Sequence, residues 1–180
     1  AKVYSLDIVG GCDLLDPATL ARLRDLTQWA IIAAIVAGPP CETWSIARFA
    51  PGQGPPPLRT EAQPWGLQGI APKHAAQVLL ASRLMQVCLL LCADALISGC
   101  RCVIEHPACL SWHDQERPPY GRPPSIWKTP QMKALLRHPS AELVHVLQGR
   151  HGADSQKPTT LLAINLPGLR QVEQLMQRPP

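Results

Sequence analysis

Cys41 stands directly after two prolines, in Gly38-Pro39-Pro40-Cys41. Proline fixes φ at about −65°, so the thiol sits on a stiff turn. The run before it, Ile31 to Ala37, is wholly apolar and reads as a strand buried on both faces. A thiol held at a strand tip is what covalent catalysis needs; the alternative is a cysteine in an ordinary strand-ending turn. Glu105 closes a second short apolar run, Cys102 to Glu105, shortly before Pro107. A carboxyl group there suits general acid work, or serves as a salt-bridge partner. A nearby cation favours a thiolate. Arg48 supplies one if the loop after Cys41 folds back, and is otherwise a solvated surface charge.

Two further groups of residues carry potential chemistry. Cys88, Cys92, Cys100, Cys102, His106, Cys109 and His113 crowd one region. No Cys-x-x-Cys pair occurs among them, so they read as small buried hydrophobes rather than zinc ligands, and no metal is expected. Asp7 ends an early apolar run. An acid in that place commonly meets ribose hydroxyls.

The elements that must position these residues alternate. Val3 to Ile8 reads as a strand, broken by Gly10-Gly11. Asp16-Pro17 marks a helix start, and Leu20, Leu23 and Leu26 carry that helix to about Thr27. Residues 50–72 form a Pro/Gly-rich loop without periodicity, of the kind that is functional or mobile. A long helix spans Lys73 to Ser98. Cys102 to Glu105 is a strand, and a polar loop runs from Ala108 to Pro124. A helix follows from Thr129, its N-cap, to Arg137. Strands are expected at Leu143 to Leu147 and Leu161 to Ile164, with a short helix in the tail at Gln171 to Gln177. This alternation predicts one α/β domain over 1–180, a three-layer sandwich with a largely parallel sheet and a tail at 166–180. Asp7, Cys41 and Glu105 then lie at carboxyl ends of strands, where such sheets collect ligands.

The totals set bounds. The chain has 180 residues, enough for one domain with a sizeable core. Its 46% hydrophobic content suits a globular protein, and with 4% aromatics the core is mostly aliphatic. Arg83, Gln86 and Asp94 interrupt the apolar stretch Val78 to Ile97, which reads as a buried helix rather than a membrane span. Seven cysteines without a leader-like start point to a reducing compartment. A net charge of +4 permits a polyanionic partner without demanding one. Arg48, Arg59, Lys73, Arg117, Arg122, Lys128, Arg150 and Lys157 lie mostly in loops and suit phosphate contacts or plain solubility. Trp44, Trp65, Trp112 and Trp127 suit base stacking or anchoring of loops on the core.

Gly38-Pro39-Pro40-Cys41, followed three residues on by Trp44-Ser45, resembles the nucleophile motif of DNA cytosine-5 methyltransferases. Val103-Ile104-Glu105-His106-Pro107 is similar to the family's strand ending in a catalytic Glu. Gln148 through Lys157-Pro158-Thr159 resembles the segment in which a Gln and basic residues support the site. Order and spacing agree over nearly the whole chain. The Pro-rich stretch after Cys41 and Ser125-Ile126-Trp127 bring it nearest to divergent, retroelement-associated members. Glu42 stands where Gln is usual, and His106-Pro107 replaces Asn-Val.

The resemblance implies a Rossmann-like, S-adenosylmethionine-dependent methyltransferase fold. It also implies methyl transfer to C5 of a flipped-out cytosine in DNA, with RNA as the other candidate. It gives Cys41 the attack on C6 and Glu105 the N3/N4 edge. Asp7, Asp13 and Pro39 fall to the cofactor, and Pro40, Ser45, Arg48, Gln148, Arg150 and Lys157 to the substrate. The family's Gly-rich opening strand is not found, and little chain follows Asn165. The resemblance therefore implies a chain starting after that element, without a target-recognition domain. The competing expectation is an inactive remnant that binds nucleic acid or a partner.

Overall fold

The computed structural model describes residues 2–50, 54–154 and 157–176. The first helix, α1 (Pro17–Gln28), starts as its sequence dictates: Asp16 accepts from Thr19 N at 2.8 Å and Pro17 takes the first position. Strand β1 (Ala34–Ala37) follows, then α2 (Pro72–Ser98), which ends at Gly99 with φ 76°. Strand β2 (Arg101–Pro107) leads by way of α3 (Pro130–Leu135) to β3 (Ala141–Leu147), β4 (Pro158–Ile164) and α4 (Gln171–Met176). Thr129 caps α3 by accepting from Met132 N at 3.4 Å, as expected.

The four strands form one sheet in the order β1-β2-β4-β3. Only β1 and β2 run parallel; β4 is antiparallel to both β2 and β3. The expected largely parallel sheet is therefore corrected to a mixed one. The cause lies between β3 and β4. Residues 148–157 are too few for a crossover helix, so these strands close as a hairpin.

On one face, α2 packs Met85, Leu89, Cys92 and Ala95 against Cys102 and Ile104 of β2 and Leu162 and Ile164 of β4. Each Met, Leu or Ile side chain among them contributes about 1.5–3 kcal/mol when fully buried. Met132 and Leu135 of α3 join this core. α2 is long and apolar enough to cross a bilayer by length and composition, but 56% of that window is buried within the protein. On the other face Val144, Val146 and Ala163 lie under Leu166, Leu169 and Val172. Among the described residues the only helix on this face is α4, which packs on β3.

That arrangement corrects two further strand expectations. Ile31 to Ala37 is not buried on both faces: only 34–37 is strand, at the sheet edge, and Val36 is 80% exposed. No described element covers its side of β1. Val3 to Ile8 forms no strand. Its apolar side chains are exposed, and an isolated run without a partner strand has nothing to exchange ladder hydrogen bonds with.

Two buried polar ties fix the helices. Asp94 of α2 accepts from Arg24 Nε at 2.7 Å, Arg24 Nη2 at 3.1 Å and Gln28 Nε2 at 2.8 Å, docking α1. Asn165, with φ 54°, donates from Nδ2 to Ala95 O and Cys100 O, satisfying carbonyls around the end of α2.

Candidate active site

The chain leaves β1 at Ala37 and turns through Gly38-Pro39-Pro40 to Cys41. Pro39 is buried, Pro40 exposed and Cys41 half-buried. A short 3-10 turn, Glu42–Trp44, follows, closed by Trp44 N donating to Cys41 O at 2.9 Å. The Trp44 indole is 2% exposed and anchors the turn in the core. β2 runs parallel beside β1 with Ala37 opposite Ile104. Glu105, one residue on, therefore comes level with Gly38, and both lie at carboxyl ends of adjacent parallel strands. A Cβ built on Gly38 would sit 3.9 Å from Glu105 Oε2; glycine leaves that gap open.

The other Glu105 oxygen is tied from behind. Lys157 Nζ lies 3.3 Å and Gln148 Nε2 3.4 Å from Oε1. Gln148 also donates to the Thr159 hydroxyl at 3.0 Å. The base of the β3–β4 hairpin supplies both groups, and Gln148 N to Lys157 O at 3.2 Å closes it. The hairpin that breaks the parallel sheet thus delivers Gln148 and Lys157 to Glu105. These two, Glu105 and the Cys41 turn are the sequence-selected residues that the structure groups.

His106 points to the opposite side of β2, into the core. Its ring lies edge-on to Trp44, centroids 5.9 Å apart, and to Trp127 at 6.3 Å. Burial pulls its pKa down to about 3, with the Lys157 and Arg59 charges adding to the shift, so the ring is neutral at physiological pH. Trp127 Nε1 donates to Pro107 O at 2.7 Å and pins the end of β2. Trp65 meets Trp44 edge-on at 5.8 Å. Trp44 and Trp127 are buried anchors, so neither is available to stack on a base; the Trp112 side chain lies outside the described residues.

Other expected site residues have local duties. Asp7 Oδ1 accepts from Gly10 N at 2.6 Å, and Asp13 Oδ1 from Leu15 N at 2.8 Å. Each closes a turn on an exposed segment, and Asp7 ends no strand. Ser45 Oγ accepts from Ala47 N at 3.2 Å and caps the next 3-10 turn. Arg48 does fold back, but onto carbonyls: Nε donates to Glu42 O at 2.9 Å and Nη1 to Pro56 O at 3.1 Å. It staples the loop rather than pairing with the thiol. Arg150 is exposed on the 3-10 turn after Gln148. Lys128 is held by Glu61 and Asp114, and Arg122 by Glu116.

Within the loop 50–72, residues 51–53 lie outside the described set, but Pro57 to Thr60 are buried. Arg59 is fully enclosed and reaches the turn after Cys41 through Thr43 Oγ1 at 2.9 Å. In the sequence Arg59 looks like one of the loop cations, and its only distinguishing signal is its place immediately after the apolar run Pro56-Pro57-Leu58. Cys88, Cys92, Cys100 and Cys102 are core residues, with Cys92 Sγ 2.9 Å from Cys102 Sγ. No group of three or more His, Cys, Asp or Glu among the described residues is arranged to hold a metal.

Two surface cavities of about 300 and 370 Å³ flank α2 and share Arg83 and Gln86. Neither is lined by Cys41, Glu105, Asp7 or Asp13. No family model matches the chain, and neither curated proteins nor solved structures give a match.

Proposed function

We propose that the chain is a DNA cytosine-5 methyltransferase-type catalytic domain of Rossmann-like descent, with Cys41 as nucleophile and Glu105 as its partner. One observation carries this reading. Glu105 has one oxygen tied by Lys157 and Gln148 while the other faces the Gly38 turn that presents Cys41. The Glu105 carboxyl and the first residue of the turn that leads to Cys41 thus meet beside the parallel strand pair.

The chemistry assigned to these residues is compact. Cys41 Sγ bonds to C6 of an unstacked cytosine, and the C5–C6 π pair moves onto C5. Glu105 meets the N3/N4 edge and stabilises the electron-rich ring. C5 then takes an electrophile. With a proton as that electrophile, loss of the original C5 hydrogen and expulsion of the thiolate restore cytosine with an exchanged hydrogen. S-adenosylmethionine is the methyl donor that the family resemblance implies. Asp7 and Asp13, which the resemblance gives to the cofactor, each close a turn through one carboxylate oxygen.

The two cavities beside α2, neither of them lined by Cys41, Glu105, Asp7 or Asp13, favour the second reading, an inactive domain that retains binding to nucleic acid. The discriminating experiment is release of tritium from C5 of cytosine in single-stranded DNA, because hydrogen exchange needs Cys41 and Glu105 but not the donor. Release is expected from the wild type and lost in Cys41→Ser. Glu105→Gln is expected to lower it about 10²–10⁴-fold. DNA binding without release by the wild type would favour the inactive domain.

A further inference from the structure

Among the described residues Arg59 is the most enclosed charged side chain. No carboxylate among them lies within ion-pair distance of it. Its hydrogen bonds all go to neutral acceptors: Nε to Thr43 Oγ1 at 2.9 Å, Nη1 to Pro64 O and Ser82 Oγ at 2.9 Å each, and Nη2 to Val78 O at 3.1 Å. The face of the guanidinium lies 4.4 Å from the centre of the Trp44 ring. These partners come from three segments: the turn after Cys41, the loop that carries Arg59 itself, and α2.

Stability alone does not call for a cation there. A buried charge without a counter-ion is unfavourable beside an apolar side chain of similar volume. Burial pulls the Arg59 pKa down to about 10, which still leaves it charged at neutral pH. What a guanidinium provides and a hydrocarbon does not is a planar fork of five donors plus a face that stacks on an aromatic ring. The fork ties Thr43 to the Arg59 loop and α2, and the face stacks on Trp44; Thr43 and Trp44 are the two residues that follow Cys41 most closely in the core. Trp44 in turn meets His106, the neighbour of Glu105, edge-on.

We propose that Arg59 is the positioning residue of the nucleophile turn, acting through Thr43 and Trp44 to fix the place of Cys41. This rests on Cys41 being the nucleophile. Arg59 touches no reacting atom; it fixes the turn from inside.

The test reads each cysteine separately. Thr43→Val keeps the buried shape and removes only the acceptor for Arg59 Nε. Native protein is treated with iodoacetamide, and alkylation of every cysteine is followed by peptide mass spectrometry. Cys41 is expected to react roughly threefold faster or more in Thr43→Val, as local opening frees the turn. Cys12 and Cys109, the other half-buried thiols, are expected to keep wild-type rates, and Cys88, Cys92, Cys100 and Cys102 to stay protected. Arg59→Met is expected to repeat the pattern, and Arg59→Lys to fail to restore it, since an ammonium lacks the fork. An unchanged Cys41 rate in Thr43→Val would overturn the proposal. So would acceleration shared by all cysteines, which marks general loosening.

Tritium release separates this from the functional reading. It is expected to fall about 100-fold in Thr43→Val with DNA binding retained. A selective Cys41 response in a chain with no wild-type release upholds positioning and sinks the enzyme. Wild-type release with unchanged Cys41 alkylation and release in Thr43→Val upholds the enzyme and sinks positioning.

Discussion

His106 titrates against the fold. Its neutral ring sits between Trp44 and Trp127, and burial holds its pKa near 3, below the ordinary value of 6.5. Between those values the unfolded chain binds a proton that the folded one refuses, so stability falls as pH drops through this window and is complete above it. The loss attributable to His106 is about 2 kcal/mol between pH 8 and pH 5. Urea denaturation at the two pH values, on wild type and His106→Phe, checks it: the variant should lose that much of the difference. An equal pH response in both would mean that the ring gains a partner on protonation. The His106 ring and the Pro107 carbonyl also fasten β2 to the Trp cluster.

The helices are docked by unequal partners. Asp94 is 4% exposed and Arg24 38%. Burial pushes the Asp94 carboxyl up, while hydrogen bonds from Arg24 and Gln28 and the Arg24 charge bring it below the ordinary carboxylate range. Arg24→Ala strands a carboxylate in the core and should cost about 3 kcal/mol, whereas Asp94→Ala leaves an arginine that can reach water and should cost nearer 1 kcal/mol. Chemical denaturation of both variants checks the order; equal costs would mean that Gln28 alone satisfies Asp94. Helices were the legible elements. Asp16-Pro17 and Thr129-Pro130 are local signals, and a cap needs only its own neighbours to act. Strands were less so, because a strand is defined by what lies beside it. Val3 to Ile8 has strand-like residues and no partner, and the apolar run Ile31 to Ala37 does not reveal that one side of β1 lacks a covering helix. The direction of β4 was set by the short connection after β3, which marks a hairpin in retrospect.

At the scale of the whole molecule, a single mixed sheet carries the candidate site at one corner. The parallel pair supplies Glu105 and the Gly38 turn that leads to Cys41, and the hairpin supplies Gln148 and Lys157. The contact of Glu105 with Gln148 and Lys157 was readable because each of these residues sits in a motif tied to a strand end. Arg59 was not, since a buried cation in a Pro-rich loop looks like a surface one until its neighbours are known. Asp7 and Asp13 show the converse: an acid after an apolar run suits a ligand and a turn equally well, and here one oxygen of each closes a turn. On the proposed reading Cys41 bonds to cytosine C6. A DNA oligonucleotide containing 5-azacytosine tests it directly, because the ring nitrogen at position 5 makes C6 more electrophilic and needs no methyl donor. After denaturation and digestion, mass spectrometry should find the oligonucleotide attached to the peptide containing Cys41, and nowhere in Cys41→Ser. Attachment at Cys12 or Cys109, or none under conditions where the DNA binds, would contradict it.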